Sequence, residues 1–247
     1  MSYPFELDRS FVELLRANAA EVVIDIDERM SPDYLGPRAA PDALAALAAR
    51  EWRRITAFEH AAGRAAVPPA GRAAAYASRV LARASTMTPH SFFSWFGIAL
   101  LAASNVLVEA LCALDLGVFR ESGAIESRAA EELARGWQRA FSANESLAVS
   151  ERVDFERLIE LDKLDLDHAD ELESLWRVTL AVASRSPDEL EASVAFRARS
   201  FDRRARDVEE RYVSDSLLDL PLTALVIYGR SRGLRVPLRT PYVAKVE

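Results

Sequence analysis

Few side chains in this sequence have the type and spacing to do chemistry. The three histidines, His60, His90 and His168, lie far apart, and none stands in an HExxH pair or beside a cysteine at metal-ligand spacing. His60 follows Glu59 on an amphipathic stretch and reads as a boundary residue. His90 follows a helix start and reads as a purely local partner, whereas His168 lies among acids that would raise its pKa. Cys112 sits in the apolar run LVEALCAL and reads as a small buried hydrophobe. No GxSxG, P-loop or GxGxxG occurs, and no strand precedes the glycines of GRSRG at Gly229 and Gly233.

The acids are the one uneven feature. The chain carries 31 Lys plus Arg against 38 Asp plus Glu, a net charge of -7. Residues 151–175, ERVDFERLIELDKLDLDHADELESL, hold ten acids and three bases, so this stretch carries the whole imbalance and the rest is neutral. Asp154, Glu160, Asp162, Asp165, Asp167, Asp170 and Glu171 are therefore the candidates for a partner-binding face, because a localised field attracts a basic partner and raises its on-rate. Two other readings stay open. A charge run is commonly just a solvated pair of helix faces and a turn. Asp167, Asp170 and Glu171 could also share a helical face and offer hard oxygen ligands to Mg²⁺, as in helical prenyl-transfer enzymes. No DDxxD occurs, however, and no second acidic motif faces them. Arg197, Arg199, Arg203, Arg204, Arg206 and Arg211 interleave with Asp202, Asp207, Glu209 and Glu210, which reads as a salt-bridged outer helix face. An acidic chain with its arginines so paired is not expected to bind nucleic acid.

Helices must position these groups. The chain has 247 residues, 50% hydrophobic, with 43 alanines, 9 Gly, 11 Pro and 1 Cys. This composition favours helix and excludes a disordered, collagenous or disulfide-built chain. The expectation is an all-α, single-domain bundle of about eight to ten helices over 1–247, with a short extended C-terminal tail. Phe11, Leu14, Leu15, Asn18 and Val22 mark a helix over 8–29 capped by Asp8. A second carries Leu44, Leu47, Ala48, Ile55, Phe58 and Ala62 and ends near Gly63; a third buries Tyr76, Val80, Ala84 and Met87. Thr88-Pro89 starts a helix that is apolar nearly all round. Further helices are expected over 106–114 and 126–142. Another starts at Ser186-Pro187 with the stripe Leu190, Val194, Ala198, Phe201, Ala205, Val208 and Tyr212, and a last one spans 216–232. Residues 84–108 lack Asp, Glu, Lys and Arg, but their Ser, Thr, Asn and His content favours a buried helix over a membrane span. The N-terminus has no secretory-signal pattern, so a cytoplasmic location is expected.

The segment SLLDLPLTALVIYGRSRGLRVPLRTPYV resembles the closing part of the immunity 49 family, bacterial proteins that protect a cell from a polymorphic toxin. There an apolar helix ends at a glycine and leads through a short extended piece to a Pro-Tyr pair; here these fall on Leu217 to Arg232, Gly233, Val236 and Pro241-Tyr242. SFFSWFGIALLAASNVLVEALCAL resembles the family's aromatic central helix and its successor, and SPDELEASVAFRARSFDRRARDVEERY its penultimate helix. The resemblance spans 71–247, and residues 1–70 show no match. It implies a cytoplasmic, non-enzymatic immunity protein without cofactor or metal that binds and neutralises a cognate toxin. If that toxin is a basic nuclease, the acidic stretch would cover its phosphate-binding surface. A Mg²⁺-dependent helical enzyme and a helical adaptor remain the competing readings.

Overall fold

In the computed structural model the residues described are 3, 6–34, 36, 40–84, 87–121, 128–142, 166–206, 213–235 and 240–244. They are all-helical, as the composition predicts. In chain order the elements are α1 (Arg9–Met30), α2 (Pro41–Ala61), α3 (Val67–Val80), α4 (Pro89–Leu101), α5 (Asn105–Cys112), α6 (Val118–Glu121), α7 (Arg128–Ser142), α8 (Leu166–Ser184), α9 (Pro187–Arg206), α10 (Ser214–Leu217) and α11 (Leu220–Ser231).

The start signals act as their chemistry predicts. Asp8 accepts the Phe11 N–H, Thr88 the Ser91 N–H and Ser104 the Leu107 N–H, each satisfying an otherwise orphaned donor. Gly63 and Gly233 follow the ends of α2 and α11 with φ of 76° and 82°, the left-handed conformation that favours glycine.

The α4 helix is the centre. It packs on α11, α3, α5 and α7. Phe92, Phe93 and Phe96 are fully buried among Phe119, Trp137 and Phe141, mostly edge to face with centroids 4.9–5.6 Å apart. Gly97 lies where α4 meets the start of α11: a Cβ there would stand 2.2 Å from the Leu220 carbonyl oxygen. No helix among the described residues is long and apolar enough to cross a membrane. The charge-free 84–108 stretch breaks into α4 and α5 at Ala103, which has φ of 50°.

Three sequence expectations need correction. In α1 the buried face is Val12, Ala19, Val23 and Ile26, while Phe11, Leu14 and Val22 are exposed. The helix carries two apolar stripes one residue apart, and the neighbour selects between them: Ile26 clusters with Leu44 and Ala48 of α2. In α3 the buried face is Ala70, Ala73, Ala74 and Ala77. Alanine carries little hydrophobic signal, but it lets α3 lie close against α2. The expected 216–232 helix is two helices, α10 and α11, parted at Leu218 and Asp219.

That break has a cause. Asp219 is fully buried and N-caps α11, accepting the Leu222 N–H at 2.9 Å. Its other partner is Arg197, 1% exposed in the middle of the α9 stripe. Arg197 Nε and Nη2 donate to the two Asp219 carboxylate oxygens at 2.5 and 3.0 Å. Its Nη1 donates to the Glu171 carbonyl at 3.1 Å and to Ser174 Oγ at 3.0 Å, both on α8. So Arg197 is not part of an outer ion-paired face; it is the most buried charge in α9. The Asp219 N–H donates to the Tyr242 carbonyl, and Thr223 Oγ receives the Ala244 N–H. Residues 240–244 are therefore folded into the core as a turn, with Tyr242, Val243 and Ala244 buried.

Two outcomes follow from this packing. Gly97→Ala should gain about 1 kcal/mol from helix propensity alone, yet the clash with the Leu220 carbonyl should reverse the sign and cost about 1–3 kcal/mol by overpacking. Denaturant midpoints decide between the two signs. Arg197→Met should cost about 3–5 kcal/mol, because it leaves the Asp219 carboxylate buried without its counter-charge. A loss under about 1 kcal/mol would contradict the role given to this pair.

Candidate functional site

Four elements bring their polar side chains together beside the aromatic core. The α4 helix supplies His90, α8 supplies Glu171, α10 supplies Asp215 and α2 supplies Arg53. His90 Nδ1 lies 2.8 Å from Glu171 Oε1, and its Nε2 lies 3.4 Å from Asp215 Oδ2. Arg53 Nη2 donates to the same Asp215 oxygen at 3.3 Å, and its guanidinium sits 5.5 Å from the centroid of Trp95. His90 is thus no local residue: its partners are 81 and 125 positions away in the chain.

The charge states follow from these contacts. Burial works against a charged His90, but the hydrogen bonds from Asp215 and Glu171 outweigh it, and its pKa rises to about 9. Burial likewise opposes a charged Asp215, and the His90 hydrogen bond with the nearby Arg53 and His90 charges overcomes it, holding the carboxyl at about 2. Ser94 Oγ, one helical turn on, lies 3.4 Å from His90 Nε2. The connectivity serine–histidine–glutamate invites comparison with a nucleophilic triad. The physics differs, because an imidazolium with both N–H groups directed to carboxylates has no lone pair to take a serine proton, and Ser94 is 1% exposed.

The acidic candidates divide. Asp154, Glu160, Asp162 and Asp165 lie outside the described residues. Asp167 lies on α8, and nothing is described of its side chain. Asp170 receives Arg203 Nη2 at 2.8 Å, and Glu171 holds His90. A divalent ion on the 167–171 face would therefore have to displace a guanidinium and an imidazolium. Among the described residues no three His, Cys, Asp or Glu side chains converge as a metal site. His60 Nε2 donates to the Pro241 carbonyl at 2.6 Å, which ties the end of α2 to the tail. The His168 side chain lies outside the described set. The Cys112 thiol, half-buried, is pushed up to about 11 by burial and by Glu109, so it is a poor nucleophile at neutral pH.

Beside this cluster a cleft of about 530 Å³ opens between α2, α3 and α4, lined by Arg50, Arg53, Thr88, Ser91 and Trp95 over an alanine-rich wall. Sequence reasoning missed both the cleft and the four-helix cluster. The only signal for either is the pair of arginines on α2, and no periodicity reveals what faces them.

The chain matches no protein-family model, and no curated protein or solved structure is measurably similar to it.

The cluster has a pH signature. His90 rises from an ordinary 6.5 to about 9 on folding, so its stabilisation is fully present below pH 6.5 and is lost as pH climbs through 9. Asp215 falls from 3.8 to about 2, so its contribution is present above pH 3.8 and is lost as pH drops through 2. In urea titrations His90→Gln should flatten the decline in stability between pH 6.5 and 9. Parallel curves for the two proteins would contradict the imidazolium assignment.

Proposed function

We propose that this chain is a toxin-binding immunity protein of the kind that its C-terminal part resembles. The observation that carries the reading is how the polar groups are spent. The buried ionisable side chains of the described core bond to one another and hold helices in place, which suits a preformed binding scaffold. Arg197 with Asp219, and His90 with Glu171 and Asp215, both serve that end. The resembling segments also coincide with what this scaffold depends on: Leu217 to Gly233 runs from the last residue of α10 through α11, and Pro241-Tyr242 lies in the folded-in tail. The net charge of -7, concentrated in 151–175, supports a basic partner such as a nuclease domain.

Asp170 and Glu171 are engaged by Arg203 and His90, so the binding face is read as Asp154, Glu160, Asp162, Asp165 and Asp167.

The reading expects a toxin gene directly beside this one, and co-expression with that neighbour tests it: growth should be rescued, and failure to rescue overturns the reading. With the purified pair, changing Asp154, Asp162, Asp165 and Asp167 to Asn should lower the association rate by about tenfold at low salt and flatten its salt dependence. An unchanged rate would move the interface elsewhere. Calorimetry at millimolar Mg²⁺ should show no binding; saturable heat that vanishes in the same variant would favour the metal-dependent reading instead.

A further inference from the structure

We propose that the cleft between α2, α3 and α4 is a binding site for a small organic carboxylate with an apolar body. The cleft holds about 530 Å³, within the range of small-molecule sites. Its walls divide by chemistry. Ala46, Ala49, Ala77, Val80, Leu81, Ala84 and Met87 form an aliphatic side, and the Trp95 ring continues it. Arg50, Arg53, Thr88 and Ser91 form the polar side, and among the described residues no carboxylate lines the cleft.

The charge around it selects an anion. Arg50 and Arg54 share the buried Glu51, with contacts of 3.5 and 2.7 Å. Arg53 and His90 share Asp215, and His90 also holds Glu171. Arg50 and Arg53 both line the cleft, and each of the two carboxylates they contact is shared with a second cation, so an incoming anion would meet positive charge on this side. Arg50 is the cation best placed to answer it, because its side chain is 63% exposed at the mouth of the cleft and its contact with Glu51 is the looser of the two.

A second observation points to a missing acceptor. Arg53 is 12% exposed, and its Nε is buried with no hydrogen-bond acceptor among the described residues. A buried guanidinium donor left unpaired is unfavourable, because its desolvation is not offset. An anion at Arg53 would supply that acceptor after a small rotation of the side chain. Thr88, the N-cap of the 13-residue α4, and Ser91 in its first turn add hydroxyls and the positive end of the helix dipole on the same side. A carboxylate between Arg50 and Arg53 would place its hydrocarbon part on Trp95 and the alanines. A doubly charged, fully hydrated anion would gain nothing from that wall.

The test uses the full chain with octanoate and benzoate as probes, octylamine and benzylamine as cationic controls of like shape, and inorganic phosphate as the bare anion. Calorimetry should show one saturable site for the carboxylates, at least tenfold tighter than for the amines or phosphate. Arg50→Gln, an exposed substitution, should weaken carboxylate binding at least fivefold without lowering Tm. Ala46→Trp, at an exposed position of the wall, should abolish binding while the protein stays folded. Absence of carboxylate binding at 10 mM, equal binding of amines or phosphate, or binding indifferent to both substitutions would each overturn the proposal.

Discussion

A single buried ion pair, Arg197 with Asp219, is the constraint on which the C-terminal half depends. Arginine and aspartate are costly to bury, and the cost is offset only when every donor and acceptor is used. Here the usage is close to complete. The guanidinium bonds a carboxylate in a fork, a carbonyl and a hydroxyl. The carboxylate in turn caps α11, and the Asp219 backbone holds the tail through Tyr242. One node thereby sets the relation of α8, α9, α11 and the chain end. The same node explains the break between α10 and α11, because a residue serving as N-cap cannot lie inside a continuous helix.

The His90 cluster repeats the principle in a wetter place. Its groups are half-buried, Asp215 is shared between Arg53 of α2 and His90 of α4, and His90 also holds Glu171 of α8. This joins α2, α4, α8 and α10 across one face of the aromatic core. The neighbouring cleft inherits its electrostatics from that sharing: Arg53 looks toward Asp215 on one side and borders the cleft on the other. Structural charge and a candidate ligand site are thus two aspects of one network.

Much of the fold was legible because its signals are local. Asp8, Thr88, Ser104 and Ser186 precede helix starts, and a hydroxyl or carboxylate two or three residues before a free N–H acts the same way in any context. The aromatic run of α4 announced its burial because no face of it is polar. What failed was register. In α1, Phe11, Leu14 and Val22 form a stripe no less apolar than Val12, Ala19 and Val23, and only the packing against α2 decides for the latter. In α3, the alanines at 70, 73, 74 and 77 pack closely and carry almost no hydropathy signal. Arg197 sits in a helix crowded with arginines, and nothing in its own neighbours marks it as the one turned inward.

The amino-acid sequence by itself determined the class, the starts of several helices and the localisation of charge. Each rests on composition or on contacts within one helical turn. The tertiary structure decided which charges are structural. Arg197 and Asp219 are 22 residues apart, His90 and Asp215 are 125 apart, and Arg53 and Asp215 are 162 apart. Pairings at such separations depend on how whole helices pack, because only close approach in a region poor in water makes a carboxylate choose one cation over the many available. The acidic imbalance is sharpened by the same fact. Asp170 and Glu171, alike to their neighbours in sequence, are already committed to Arg203 and His90.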